Sequence, residues 1–263
     1  MHALTILFGS AGCILVRMLL WLRYRITLSG IAQVRSKGTR GILFLPNHPA
    51  LIDPLIIATR LYPFFQAHPL AFEDQISQPV VRWMCALVGT IPIPDIKRVG
   101  RGAKDIIEKT LRLIITALNQ GENIVLYPAG RAYRSRFENL RSTSAVETIL
   151  RSCPDVRIVL VRTTGLWGST FSWASGHAPN IGSGLKKTVL TIPANGIFFS
   201  PRRALHIELV EPDDFPRSAD RRTINRYLEA FYNAQAPPNT YVPYTWLESG
   251  GKRELPDPGA TTS

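Results

Sequence analysis

The segment Asn47-His48-Pro49-Ala50-Leu51-Ile52-Asp53-Pro54 holds the residues best suited to chemistry. A histidine and an aspartate separated by four residues can curl to meet. The carboxylate then takes one ring N–H, fixes the tautomer and leaves the other ring nitrogen as a base. This is the logic of a catalytic triad without its serine, and the nucleophile becomes a hydroxyl carried by the substrate. Spacing alone is weak evidence, because aspartate is a common residue. The competing reading is a loop histidine that caps a turn. Context favours the chemistry: an apolar strand runs in ahead of the pair, and Asp53-Pro54 reads as a helix start.

Two further groups of residues could hold an anion. Tyr127-Pro128-Ala129-Gly130-Arg131 closes a strand. Gly130 lets backbone approach a ligand, and Arg131 offers a planar fork of donors that suits a phosphate. Arg134 and Arg136 follow; together they read either as a phosphate site or as a solvated basic loop. Lys97, Arg98, Arg101 and Lys104 precede and open a long helix, whose N-terminus could receive an anion. They read equally as a charged turn in water. Trp167, between Gly165 and Gly168, either lines a groove or packs in the core.

The elements that would position these residues alternate between strand and helix patterns. Strands are expected at 25–28, 41–45, 90–93, 123–127, 157–162 and 205–210. Helices are expected at 54–61, 79–88, 103–118, 144–150 and 221–232. The clearest is 103–118, where Ile107, Leu111, Ile114, Ile115 and Leu118 form one stripe and Gly121 lies just past the end. This alternation implies an α/β domain: a central sheet, mostly parallel or mixed, flanked by helices. Residues 25–247 are expected to form that domain, and 248–263, rich in Gly, Pro and charge, a mobile tail.

The first 24 residues read as an N-terminal membrane-surface helix. Residues 1–40 carry six Arg or Lys and no acid, beside an apolar run broken by Arg17. Apolar side chains would enter the acyl boundary while the cations meet anionic head groups, with Trp21 and Tyr24 at the interface. The unbroken run from Ala3 to Val16 is short for a spanning helix. The whole chain has 263 residues and a net charge of +12, which calls for an anionic partner. Nucleic acid is disfavoured, since no recognised binding motif is present. Cys13, Cys85 and Cys153 are scattered, which fits a reducing compartment, and no Cys/His cluster suggests a metal.

Taken together, three segments resemble the glycerolipid acyltransferases, the family of 1-acylglycerol-3-phosphate acyltransferase. Asn47-His48-x4-Asp53 is similar to the family's first motif, and Gly89-Thr90-Ile91-Pro92-Ile93 to its second. Tyr127-Pro128-Ala129-Gly130-Arg131 is similar to the third, which usually reads Phe-Pro-Glu-Gly. Val161 to Ser169 and Tyr241-Val242-Pro243-Tyr244 are closer to the branch of 2-acylglycerophosphoethanolamine acyltransferases, which are often joined to an acyl-activating synthetase. The resemblance implies acyl transfer from acyl-carrier protein or coenzyme A to the free hydroxyl of a lysophospholipid. His48 and Asp53 would be catalytic, and Gly130, Arg131, Lys97 and Arg98 would bind the phosphate. Neither metal nor cofactor is expected. Membrane lipids, the acyl donor and an acyl-activating synthetase are the expected partners, at the cytoplasmic face of the inner membrane. Three departures bear on the acceptor: Ala129 replaces the third-motif Glu, Asp95 stands where a cation is usual, and Arg162 where the fourth motif has proline. A non-catalytic lipid-binding protein on the same fold is the rival reading, and the intact His48/Asp53 pair argues against it.

Overall fold

The apolar runs pair into a seven-stranded mixed sheet with helices on both faces. The computed structural model describes residues 2–72, 79–87, 90–93 and 103–259. In chain order these form α1 (His2–Trp21), β1 (Tyr24–Ser29), α2 (Ile31–Ser36), β2 (Ile42–Pro46), α3 (Asp53–Phe65) and β3 (His68–Phe72). Next come α4 (Pro79–Leu87), β4 (Ile91–Ile93), α5 (Ala103–Asn119), β5 (Ile124–Val125), α6 (Ala145–Ser152) and β6 (Arg157–Thr164). The chain ends with α7 (Ile181–Thr191), β7 (Arg203–Val210), α8 (Arg221–Asn233) and the short pair β8 (Thr240–Tyr241) and β9 (Arg253–Glu254). The strand order is β1-β7-β6-β2-β5-β3-β4. From β6 to β4 the neighbours are parallel, whereas β7 runs against β6 and alongside β1.

The pattern of β2 explains its central place. All five residues are buried, as expected of a parallel strand covered on both faces. Ile42 and Phe44 face a layer that includes Val16 and Leu20 of α1 and Ile56, Ile57 and Leu61 of α3. Leu43 and Leu45 face the opposite layer, with Ile114 and Leu118 of α5, Ile149 of α6 and Leu228 of α8. On β7 alternate residues are buried, so this strand carries one packed face.

Several expectations need revision. The helix expected to stop at Leu61 continues past Pro63 to Phe65, because buried Leu61, Tyr62 and Phe65 hold its last turn. Helix α7 was not anticipated, since glycines 182 and 184 disguise it. Gly184 is there because a Cβ would stand 2.5 Å from the ring of Phe171. The second half of the first helix packs on the body of the protein, with Cys13, Val16 and Leu20 buried. Tyr24 and Arg23 are buried too, and Arg23 donates to the carbonyls of Val242 and Pro243 at 2.7 Å each. Among the described residues no helix is long and apolar enough to cross a membrane. The tail expected to be mobile is tied down over part of its length. Arg253 and Glu254 pair with β8, Asn239 Nδ2 donates to Pro256 O at 2.8 Å, and Asp257 accepts from Trp167 Nε1 at 2.7 Å.

Candidate active site

The pairing of β2 with β5 and β6 brings three loops together at the C-terminal ends of parallel strands, where open α/β sheets place their sites. Asn47, the first residue after β2, fixes the local path. Its side chain donates to Thr163 O at 3.1 Å and accepts from Thr163 N at 2.7 Å, tying the loop to β6. His48 follows, and the chain turns through Pro49 to Ile52 before α3 begins at Asp53. The Asp53 N–H donates to Ala50 O at 3.1 Å, which closes the turn and aims the carboxylate back at the histidine.

His48 Nδ1 lies 2.9 Å from Asp53 Oδ2, with the aspartate fully buried and the histidine nearly so. The second carboxylate oxygen is also engaged: Tyr127 donates its hydroxyl to Asp53 Oδ1 at 2.5 Å. The Tyr127 ring packs on the imidazole with centroids 4.5 Å apart. Burial pushes the Asp53 carboxyl above its usual range, and the attraction of His48 and the hydrogen bonds from His48 and Tyr127 pull against that shift. With Nδ1 held by Asp53, Nε2 is the ring nitrogen left to exchange a proton with a ligand.

A third acid belongs to the site. Glu138 is buried and accepts the backbone N–H of His48 at 2.9 Å through Oε2; its Oε1 has no partner among the described residues. Burial raises its carboxyl to about 7, while the hydrogen bond from His48 restrains the shift. Asn233 of α8 fastens Glu138 by two bonds, accepting from its N–H at 2.8 Å and donating to its carbonyl at 3.0 Å. His48 O accepts from Tyr133 N at 3.1 Å, so the histidine is gripped at both backbone atoms.

Gly130 adopts φ +63°, a left-handed conformation that favours glycine, and a Cβ there would meet nothing within 4 Å. Arg131 is half-buried and makes no hydrogen bond or ion pair among the described residues. Burial, then the nearby charges of Arg141 and Arg134, pull its pKa below the ordinary arginine value, while Glu138 works in the other direction. Arg141 was not singled out from the sequence, and it joins Arg131 only because the chain folds back after Leu140. A cavity of about 320 Å³ opens beside this loop, between Tyr127, Ala129 and Gly130 on one side and Ile107, Leu111 and Ile114 of α5 on the other. Ala129 therefore presents a methyl group to an apolar wall where the resemblance expects a carboxylate.

Lys97 and Arg98, with Asp95, lie outside the described residues. Arg162 is consumed elsewhere: it pairs with Glu208, donates to Phe231 O at 2.6 Å and stacks on the Phe231 ring. Trp167 is a core residue, buried against Tyr133 with ring centroids 5.5 Å apart. No group of three or more His, Cys, Asp or Glu among the described residues could hold a metal ion. No sequence signal pointed to Glu138, which lies 90 residues from His48 and carries no fixed spacing to it. Tyr127 stood in a recognised motif, but nothing in that motif specified a bond to Asp53.

Comparison with known proteins places residues 25–164 in a match to the family model described as Acyltransferase. No curated protein sequence matches the chain. Among solved structures, the chain is similar to the 1-acyl-sn-glycerophosphate (LPA) acyltransferase, PlsC, from Thermotoga maritima. That similarity has a TM-score of 0.48 and 17% sequence identity, and covers 88% of this chain and 77% of that one.

Proposed function

This chain belongs to the acyltransferase family, and on that premise we propose that it is an O-acyltransferase moving a fatty acyl group onto the free hydroxyl of a lysophospholipid. The observation that carries the reading is the buried His48–Asp53 contact of 2.9 Å, braced by Tyr127. His48 Nε2 takes the proton of the acceptor hydroxyl as that oxygen attacks the thioester carbonyl of acyl-carrier protein or coenzyme A. Asp53 holds the tautomer and stabilises the imidazolium. The tetrahedral intermediate collapses with loss of the C–S bond, and the imidazolium returns its proton to the departing thiolate. The products are the diacyl lipid and the free thiol, and no covalent enzyme intermediate is needed.

Gly130 and Arg131 would receive the acceptor phosphate, and the apolar cavity between the third-motif loop and α5 would take an acyl chain. The acceptor is lysophosphatidic acid or a related lysoglycerophospholipid. The exposed face of α1, with Ile14, Leu15, Met18, Leu19 and Trp21, supports work at a membrane surface. Purified protein incubated with labelled acyl-carrier protein or coenzyme A thioesters and a panel of lysolipids, resolved by thin-layer chromatography, tests the reading. Acyl transfer to at least one lysolipid, lost in His48→Ala, is expected; equal product with a folded His48→Ala protein would exclude it.

A further inference from the structure

A second cavity, of about 470 Å³, lies beside the apolar one and is lined by charge instead of hydrocarbon. Arg141, on the segment that follows Glu138, lines it together with Arg221, Arg222 and Arg226 of α8 and the amides of Asn139 and Asn225. Its volume is in the range of small-molecule sites. Four guanidiniums in one concavity repel one another. Among the described residues none of the four side chains has an ion pair or a hydrogen bond. The acids nearby are occupied elsewhere: Asp220 accepts from Thr223 N at 2.9 Å, and Glu229 accepts from Leu140 N at 2.6 Å.

The wall of this cavity is fixed by packing. Arg141 holds φ +54°, a left-handed conformation that is costly for a residue with a Cβ. Buried Asn225 keeps it there, its Nδ2 donating to Arg141 O at 3.3 Å and to Thr143 O at 3.0 Å. The cavity also adjoins the catalytic pair. Ser142 lines both it and the apolar cavity. Glu138 accepts the His48 N–H, and Arg141 is three residues further on, so at most about 11 Å of backbone separates the two. Arg141 is close enough to Arg131 that its charge, after burial, lowers the Arg131 pKa.

We infer that this cavity binds the nucleotide end of a coenzyme A thioester, with Arg141, Arg221, Arg222 and Arg226 taking its phosphates. That end carries a 3′-phosphate and a 5′-pyrophosphate, and planar guanidinium forks suit such groups better than point charges do. From there a pantetheine arm would lead the thioester to His48 and the acyl chain into the apolar cavity. An acidic carrier protein fits worse, because a protein surface would meet cations spread over an open face and not gathered in a concavity. The identity of the ligand rests on the acyl-transfer reading; the binding can be measured without turnover.

The experiment is isothermal titration calorimetry of the full chain with coenzyme A and with adenosine 3′,5′-bisphosphate. The parent should bind both, more weakly as salt rises. Arg222→Gln/Arg226→Gln should raise both dissociation constants about tenfold or more, through the loss of charge-assisted bonds. Arg221→Gln/Arg226→Gln should act the same way. The melting temperature should not fall, because these side chains are exposed and glutamine suits a helix as well as arginine. Lys186→Gln/Lys252→Gln removes two exposed charges elsewhere and should change neither constant. In acyl transfer the arginine variants should raise KM for the coenzyme A thioester and leave KM for the lysolipid unchanged. A parent that binds neither probe, arginine variants that bind both like the parent, or an equal loss in the lysine variant would overturn the site. So would arginine variants that lose use of the acyl-carrier-protein thioester alone, which would make the arginines a protein dock. Acyl transfer from the coenzyme A thioester at an unchanged KM in the arginine variants sinks the site and spares the reaction. Binding through these arginines in a protein that transfers no acyl group sinks the reaction and spares the site.

Discussion

Replacing Asp53 by Asn separates the roles of the buried carboxylate. The native group accepts two donors, His48 Nδ1–H at 2.9 Å and the Tyr127 hydroxyl at 2.5 Å, one at each oxygen. An amide has one acceptor oxygen and one donor nitrogen, so it cannot serve both contacts unchanged. If its nitrogen faces the histidine, the proton moves to Nε2 and the base is lost. If its oxygen faces the histidine, the tautomer survives, but the negative charge that stabilises the imidazolium is gone. Both orientations slow proton transfer, by about 10²–10⁴-fold on the scale of positioned general bases. That corresponds to about 2.7–5.5 kcal/mol in barrier. The fold should tolerate the change, because a neutral amide costs less to bury than a carboxylate. The assay is single-turnover acyl transfer to a lysolipid under saturating acceptor, with melting temperature as the control. A folded Asp53→Asn protein that keeps its rate within tenfold would refute the assignment of Asp53.

Tyr127→Phe removes a hydrogen bond to a buried carboxylate and should cost about 1.5–3 kcal/mol of stability in chemical denaturation, with a smaller loss of rate than Asp53→Asn. A neutral result would mean that Asp53 does not need its second donor. Glu138→Gln keeps an acceptor for the His48 N–H but removes a titrating group. The Glu138 carboxyl sits at about 7 in the folded protein against an ordinary 4.5, so the folded state holds that proton more tightly. Its contribution to stability is therefore lost as pH rises from about 4.5 to 7, by about 3 kcal/mol in all, and the variant should flatten this slope in denaturation measured across that range. Arg131→Ala should raise KM for phosphate-bearing acceptors about tenfold or more while changing kcat little, because the lost contact is to the acceptor in ground and transition states alike. An unchanged KM would remove Arg131 from the acceptor site.

The sequence alone carried the dyad and most of the scaffold. His48 and Asp53 are close in the chain, so their meeting depends on one local turn that Pro49 and the helix start at Asp53 impose. Strand β2 and helix α5 were legible for a similar reason, since their apolar periods are local and long. What the sequence could not settle were the contacts that depend on strand order. Tyr127 reaches Asp53 because β5 pairs beside β2, and Glu138 reaches the His48 N–H because α8 presents Asn233 to fasten it. The same limit applies to the basic residues: Arg162 and Arg23 count toward the net charge of +12, and only the fold shows them buried against Glu208 and backbone carbonyls. Short-range patterns fix which groups exist and which lie near one another along the chain. Burial, partner and charge environment are set by elements that arrive from elsewhere, and only the tertiary structure decides them.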